Sequence, residues 1–363
     1  MLPVIQYRRA LHQIPELDDQ LPETTAFVRR RLDGLAPFSP IPGSVCAFLD
    51  AGKPETAAFR ADLDALPVTE RTGLPYASRH SGVMHACGHD GHTALLLALA
   101  DFAAAHRTEL PRNVLFLFQP AEETTGGAER LCASGLLEQY RTARVFGLHL
   151  WPGLEAGRIF SRPGPLMARS NEVTVTITGK SVHLSRAAEG RDALAAGAEY
   201  LLRAYAALED CLPADEPRVL RFGRMVSGTV RNAVSGETCL EGSLRTYRDE
   251  VQALCRRRLE EVGRQLAAET GCTVDVHLST GYPAVWNHEG LWETVSQALS
   301  PCLLEAPALA AEDFSFYQRQ VPGLFFFLGV GNTPELHAPD FCFDDEAVLP
   351  QGLAFLTQLL LLP

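Results

Sequence analysis

Several common signals are missing from this 363-residue sequence, and each absence narrows what it encodes. No apolar run approaches the roughly 20 residues that span a bilayer; Phe325–Leu328 is long enough only for a buried strand. The stretch from Met1 to Arg9 has no apolar core followed by a small-residue cleavage site, so no secretory signal is expected there and a cytoplasmic location is. No long basic run occurs, and Arg256, Arg257 and Arg258 read as the solvated face of an amphipathic helix. With a formal net charge of −12, the chain lacks the basic footprint that phosphate backbones require. Neither nucleic acid nor a membrane is an expected partner. No CxxC pair is found, and the nine cysteines are scattered, which suits a reducing compartment where most act as small core hydrophobes. A glycine-rich dinucleotide turn after a strand is also missing, which argues against a nicotinamide-dependent oxidoreductase. Internal repeats and low-complexity tracts are absent.

What the sequence does contain is ordinary for a globular enzyme: 46% apolar and 21% charged residues. The length exceeds the usual single core, so two domains are expected. The most informative stretch is Met84–His92, which packs three histidines, Cys87 and Asp90 around two glycines. Imidazole, thiolate and carboxylate are the ligands that borderline metals prefer. Helix formers follow from Thr93, so the cluster sits at a loop-to-helix junction.

In chain order, helical spacing covers 4–13 and 22–35, and strands are expected over 44–50 and 56–63. The second strand delivers Asp62 and Asp64 just before Pro67. A helix over about 91–106 leads to an apolar run at 112–119, the pattern of a central strand buried on both faces, which delivers Glu122 and Glu123. A further strand over 143–150 delivers His149. Strand–helix alternation of this kind implies a mostly parallel sheet with its site at the carboxyl ends of the strands. Near Pro163 the pattern changes. Strict alternation over 171–179, a helix over 190–211, strands over 218–227 and 237–247, a helix over 249–270 and a strand over 272–280 give the β-α-β-β-α-β order of a ferredoxin-like fold. The expected organisation is an α/β catalytic domain in two parts, 1–167 and 281–363, with an α+β domain inserted at 168–280. The last third carries helices at 289–299 and 346–361, a short one near Phe314, a strand at 323–329, and a loop with His337.

Collected, Cys87, His89, Glu122, Glu123, His149 and His337, with His85, His92, Asp62 and Asp90 near by, are too many ligands for one closed tetrahedral zinc site. They suit two metals sharing a bridging ligand and a water. Adjacent carboxylates such as Glu122 and Glu123 can split roles, one holding metal and the other serving as general base in amide hydrolysis. Spacing alone does not choose among His85, His89 and His92.

These residues resemble a known family, the metal-dependent amidohydrolases of the aminoacylase and carboxypeptidase superfamily. The likeness is to the branch with hippurate hydrolases, indole-acetyl-amino-acid hydrolases and N-acetyldiaminopimelate deacetylases. It covers essentially the whole chain through Arg8–Glu16, Arg60–Pro67, Met84–His92, Gln119–Glu123, Gly147–Pro152, Gly228–Asn232, Ala311–Ser315 and Leu336–Pro339. The resemblance implies a binuclear-metallopeptidase-like catalytic domain with a ferredoxin-like lid. It further implies two divalent ions, manganese or zinc, held by Cys87, His89, Glu123, His149 and His337, with Glu122 as general base and Asp62 and Asp90 supporting the ligands. On the lid it implies that His183 helps hold the reacting carbonyl, in its own or a partner's site, and that Asn232 and Arg245 hold the substrate's carboxylate or carbonyl. A homodimer through the lid is expected. The lid stretch departs from many relatives: His183 is kept, but the proline and second histidine that usually follow are not, which leaves the acyl and amino-acid preference open.

The expected activity is hydrolysis of an N-acetyl or N-aroyl amino acid. Rival readings are an N-acetyldiaminopimelate deacetylase, a short-dipeptide peptidase, and, in a different class, a catalytically silent metal-binding or assembly protein. Glu122 beside a full ligand set argues against silence.

Overall fold

The computed structural model describes residues 1–363. The chain opens with helices α1 (Pro3–Leu11) and α2 (Pro22–Arg31), then strands β1 (Val45–Leu49) and β2 (Thr56–Asp62). Helix α3 (His89–Ala105) precedes β3 (Asn113–Gln119), short helices α4 (Gly127–Ala133) and α5 (Leu136–Gln139), and β4 (Thr142–Trp151). Short strands β5 (Ile159–Ser161) and β6 (Gly164–Met167) lead to β7 (Arg169–Thr178), α6 (Ala193–Cys211), β8 (Val219–Ser227), β9 (Glu237–Thr246), α7 (Asp249–Thr270) and β10 (Thr273–Leu278). The remainder holds β11 (Val285–Asn287), α8 (Glu289–Leu299), β12 (Cys302–Leu303), α9 (Ser315–Gln318), β13 (Gly323–Gly329) and α10 (Asp345–Leu361).

The chain forms two compact units. The first comprises 1–166, 285–307 and 312–363. Its seven-stranded sheet has the order β1-β3-β2-β4-β13-β5-β12. The central pairs β3–β2, β2–β4 and β4–β13 are parallel, whereas β1 joins β3 and β5 joins β13 antiparallel. Every residue of β2, β3 and β13 is buried, as strands covered on both faces must be. Phe59, Phe116, Phe118, Phe146 and Phe326 fill this core together with the apolar residues of α3. The carboxyl ends of β2, β3 and β4 lie side by side and carry the site.

The second unit comprises 167–284 and 308–311. Its antiparallel sheet has the order β10-β7-β9-β8, the ferredoxin-like arrangement, with α6 and α7 sharing its apolar core. The sequence places the end of the insertion at 280 and gives 281–363 to the catalytic domain. The structure carries the unit on to Ala284 and adds the detached 308–311, because the Ala168 N–H donates to the Ala310 carbonyl and the Tyr247 hydroxyl to that of Ala308. Four residues with no apolar periodicity carry no signal of that docking.

Candidate metal centre

Two turns aim the donors. Gly88 takes φ +85°, a conformation that suits glycine, and lets the chain reverse between Cys87 and His89, the first residue of α3. The loop after β3 places Ala121 at φ +59°, ahead of Glu122, and His337 itself sits at φ +67°. Non-glycine residues in this region cost of order 1–3 kcal/mol and tend to mark functional turns. The His337 N–H donates to the Ala86 carbonyl at 2.8 Å, tying the two loops together.

Ring nitrogens distinguish the three histidines of the Met84–His92 stretch. His92 receives the Leu150 N–H on Nε2 (2.9 Å) and donates Nδ1–H to Asp62 (2.6 Å), so neither nitrogen is left to ligate. His85 is buried with both nitrogens unpartnered, yet belongs to none of the converging donor groups; its ring lies 6.4 Å from that of His12. His89 donates Nδ1–H to the Asp64 carbonyl at 2.8 Å and leaves Nε2 buried and unpartnered. His149 likewise donates Nδ1–H to the Leu150 carbonyl (2.6 Å), and its Nε2 stands 3.5 Å from Cys87 Sγ. Backbone partners of this kind orient metal-ligating imidazoles.

Two groups of potential ligands share Cys87: Cys87 with His89 and His149, and Cys87 with Glu123 and His337, each with donor atoms within 4.8 Å of one another. Glu123 Oε1 lies 3.2 Å from His337 Nε2 and 3.8 Å from His89 Nε2. All five lie in the first unit. The donor set fits divalent cations: His89 Nε2 is buried without a hydrogen bond and faces Glu123 Oε1, an arrangement of polar atoms that costs free energy unless a cation or proton lies among them. Electrostatics agree. Burial, with the nearby Glu123 and Glu122, pushes the Cys87 thiol well above its ordinary value, so a thiolate there needs a cation beside it. Burial alone would lower His89, but Asp62, Asp64 and Glu123 outweigh it and raise it to about 10. Surroundings that hold a proton so firmly also attract metal. Burial takes His149 down to about 3, which keeps it neutral and able to ligate.

Glu122 adjoins this group from the other side, with His89 and Glu123 on one flank and Glu312 and Asp313 on the other. Its carboxyl is raised well above the usual range by burial and then by Glu312, Glu123 and Asp313. Asp64 aims the pair: its two carboxylate oxygens accept the Glu122 and Glu123 N–H groups, each at 3.0 Å. Beneath them Arg60 is fully buried, paired with Asp62 (2.9 Å), Glu312 (3.0 Å) and Asp313 (2.6 Å). Of the two supporting residues expected from the sequence, Asp62 orients His92 and stands 3.8 Å from His89 Nε2, whereas Asp90 turns away from the donors toward α1. Asp64, Arg60 and Glu312 are absent from the sequence-based site. The available signal was strand periodicity, since Arg60, Asp62 and Asp64 at i, i+2 and i+4 point to one side.

His183, Asn232 and Arg245 belong to the second unit. An antiparallel bridge between His183 and Ala233, with the Leu184 N–H donating to the Asn232 carbonyl, brings the first two together beyond the Thr178–Glu237 end of the sheet. Arg245 is paired with Ser170 toward the opposite end of β9. Arg245 lies eight residue steps from Glu237 along β9, roughly 26 Å at about 3.3 Å per residue. The Arg245 guanidinium is partly buried without a hydrogen bond or ion pair, and burial lowers its pKa.

Similarity to known proteins agrees with this geometry. The profile of peptidase family M20/M25/M40 matches residues 58–362. An N-acetyldiaminopimelate deacetylase of Lacticaseibacillus paracasei is 35% identical over 96% of this chain and 94% of its own length. An N-acetyl-L-cysteine deacetylase of Bacillus subtilis is 34% identical over 95% of this chain and 85% of its own. The crystal structure of a dinuclear metal-binding M20 peptidase from Bacillus subtilis superposes with a TM-score of 0.85 at 32% identity, covering 99% of this chain and 96% of that one. Donor geometry, fold and full-length similarity lead to one assignment: this chain belongs to peptidase family M20/M25/M40 and is a metal-dependent amidohydrolase.

Proposed function

We propose that this enzyme removes the acyl group, most simply acetyl, from an N-acyl amino acid, using two divalent ions, manganese or zinc, held by Cys87, His89, Glu123, His149 and His337. The observation that carries the reading is the pair of donor groups sharing Cys87, with a buried His89 Nε2 that has no hydrogen bond. When bound, such ions supply Lewis acidity to the scissile carbonyl and lower the pKa of water. Glu122 accepts a proton from the attacking water as its oxygen bonds to the carbonyl carbon. The same carboxyl then delivers that proton to the departing nitrogen as the C–N bond breaks, leaving a carboxylate and a free amine. Burial beside Glu312 and Asp313 makes Glu122 a stronger base than an exposed carboxylate. Asp64, through the two N–H groups it holds, keeps base and ligand in register.

Arg245, partly buried and lacking a carboxylate of its own, suits the α-carboxylate of the substrate. His183 and Asn232 lie beyond the other end of β9. A homodimer through the second unit belongs to this reading, with His183 and Asn232 acting in their own or the partner's site. The free edge of β8 and exposed Leu194, Leu202 and Val226 suit that pairing. Nine free cysteines are in keeping with a reducing cytoplasm. No helix is long and apolar enough to cross a membrane.

The test is metal content by elemental analysis, paired with amine release from N-acetyl and N-benzoyl amino acids and N-acetyldiaminopimelate, with and without added manganese. Two equivalents and metal-dependent release are expected. A chain free of metal and inactive across the panel would overturn the reading.

A further inference from the structure

Helix α1 precedes the stretch that the family profile matches, yet it reaches the metal loop. Arg8 Nε donates to Asp90 Oδ2 at 2.9 Å, and His12 Nδ1 lies 2.8 Å from the same oxygen. The far sides of both side chains are occupied as well: Arg8 Nη1 contacts Asp345 at the start of α10 (3.2 Å), and His12 Nε2 contacts Glu70 (3.3 Å). The side chains of Arg8, His12 and Asp90 are at most 1% exposed. Desolvating such a cluster costs about as much as its mutual attraction returns, so a gain in stability explains it poorly. Its position explains more. Asp90 directly follows His89 in the first turn of α3, and the residue before His89 is the left-handed Gly88, where the chain reverses. His89 and His92 tie one side of this turn to Asp64, Asp62 and Leu150; Asp90 ties the other side to α1, so that losing it would let His89 Nε2 shift relative to Cys87 and Glu123.

We infer that Arg8 and His12 are positioning residues for the metal centre: through Asp90 they lock the first turn of α3, so that His89 and Cys87 stay aimed at one point. The inference rests on Cys87 and His89 being ligands. Neither Arg8 nor His12 belongs to the converging donor groups, and both reach them through their shared contact with Asp90.

The test uses the full-length, metal-loaded protein and reads its manganese affinity by chelator competition. Partners that orient ligands typically contribute 10- to 100-fold in metal affinity. Arg8→Gln and His12→Gln should each weaken binding about tenfold, and Arg8→Lys, which keeps a cation against Asp90, should return to within threefold of the parent. The thiolate-to-metal absorption of the cobalt-loaded protein should shift in Arg8→Gln and return in Arg8→Lys. Arg144→Gln is the control for lost stability, because Arg144 is a buried guanidinium that donates to the carbonyls of Leu362 and Pro363. It should lower the thermal midpoint without weakening manganese binding. Affinity within twofold of the parent in Arg8→Gln, or an equal loss in Arg144→Gln, would overturn the inference. Should Arg8→Gln fail to fold, His12→Gln decides by the same criterion. A His89→Ala variant that holds metal as tightly as the parent would instead overturn the ligand assignment, a failure the Arg8 and His12 variants do not mimic.

Discussion

Asp64→Asn tests how the carboxylate pair is aimed. In the parent, two oxygens of one buried carboxylate accept two backbone N–H groups, those of Glu122 and Glu123, both at 3.0 Å. An asparagine of the same shape offers one oxygen and one NH₂, so one N–H would face a donor and lose its partner. A hydrogen bond to a charged group contributes about 1.5–3 kcal/mol, and about 1.4 kcal/mol corresponds to a factor of ten. The loss falls on a turn that already holds Ala121 at φ +59°, so the turn has a reason to relax. If the displaced base loses this energy in the transition state, kcat/KM should fall about 10- to 150-fold, with a parallel loss of metal affinity through Glu123. The Asp64 backbone carbonyl that orients His89 is untouched by the substitution, so some metal should remain. The assay is amine release from the best N-acyl substrate at saturating manganese, with metal content measured on the same preparation. Parent-like kcat/KM, within threefold, at full metal occupancy would refute the reasoning.

Four further outcomes follow from the same geometry. Glu122→Gln should retain metal but lose more than about a hundredfold in turnover, the range for a general base, as steady-state kinetics at full metal loading would show. Cys87→Ala removes the donor common to both ligand groups and should hold fewer than two metal equivalents by elemental analysis; full occupancy would contradict the ligand list. His92→Leu should keep the metal count of the parent while destabilising the fold by about 2–4 kcal/mol, because buried Asp62 and the Leu150 N–H each lose a partner; urea titration with metal analysis separates it from His149→Ala, which should lose metal. For His12, burial favours the neutral ring, but Asp90 and Glu70 outweigh it and raise the pKa above the usual value of about 6.5. A raised folded-state value means that the protonated pair stabilises fully below about pH 6.5 and fades as pH climbs through the raised value. The thermal-midpoint deficit of His12→Gln should therefore be largest in mild acid and shrink in alkali, and a deficit that grew with pH would contradict the ion pairing.

Much of this protein is legible in local pattern. Unbroken apolar runs such as 113–119 and 323–329 become central strands, and strict alternation becomes β7, because burial on two faces or one imposes those periods directly. Helix α7 spans 249–270 as its amphipathic spacing implies, and the left-handed Gly271 closes it. The ligand types are legible too, since metal affinity belongs to the side chain itself.

The sequence by itself thus determined the kind of fold, the order of its elements and the supply of donors. Only tertiary structure decided which donors are free to act. Both His92 nitrogens are taken up, by Leu150, 58 residues away, and by Asp62, 30 residues away, while the carbonyl contact of His89 to Asp64 leaves its Nε2 without a hydrogen bond. What Asp90 pairs with was likewise hidden: its partner is Arg8, 82 residues upstream, and that guanidinium goes on to meet Asp345. Periodicity reports which face of an element is buried. It says nothing of what a polar atom on that face will meet, because that depends on segments brought together only when the sheet has formed.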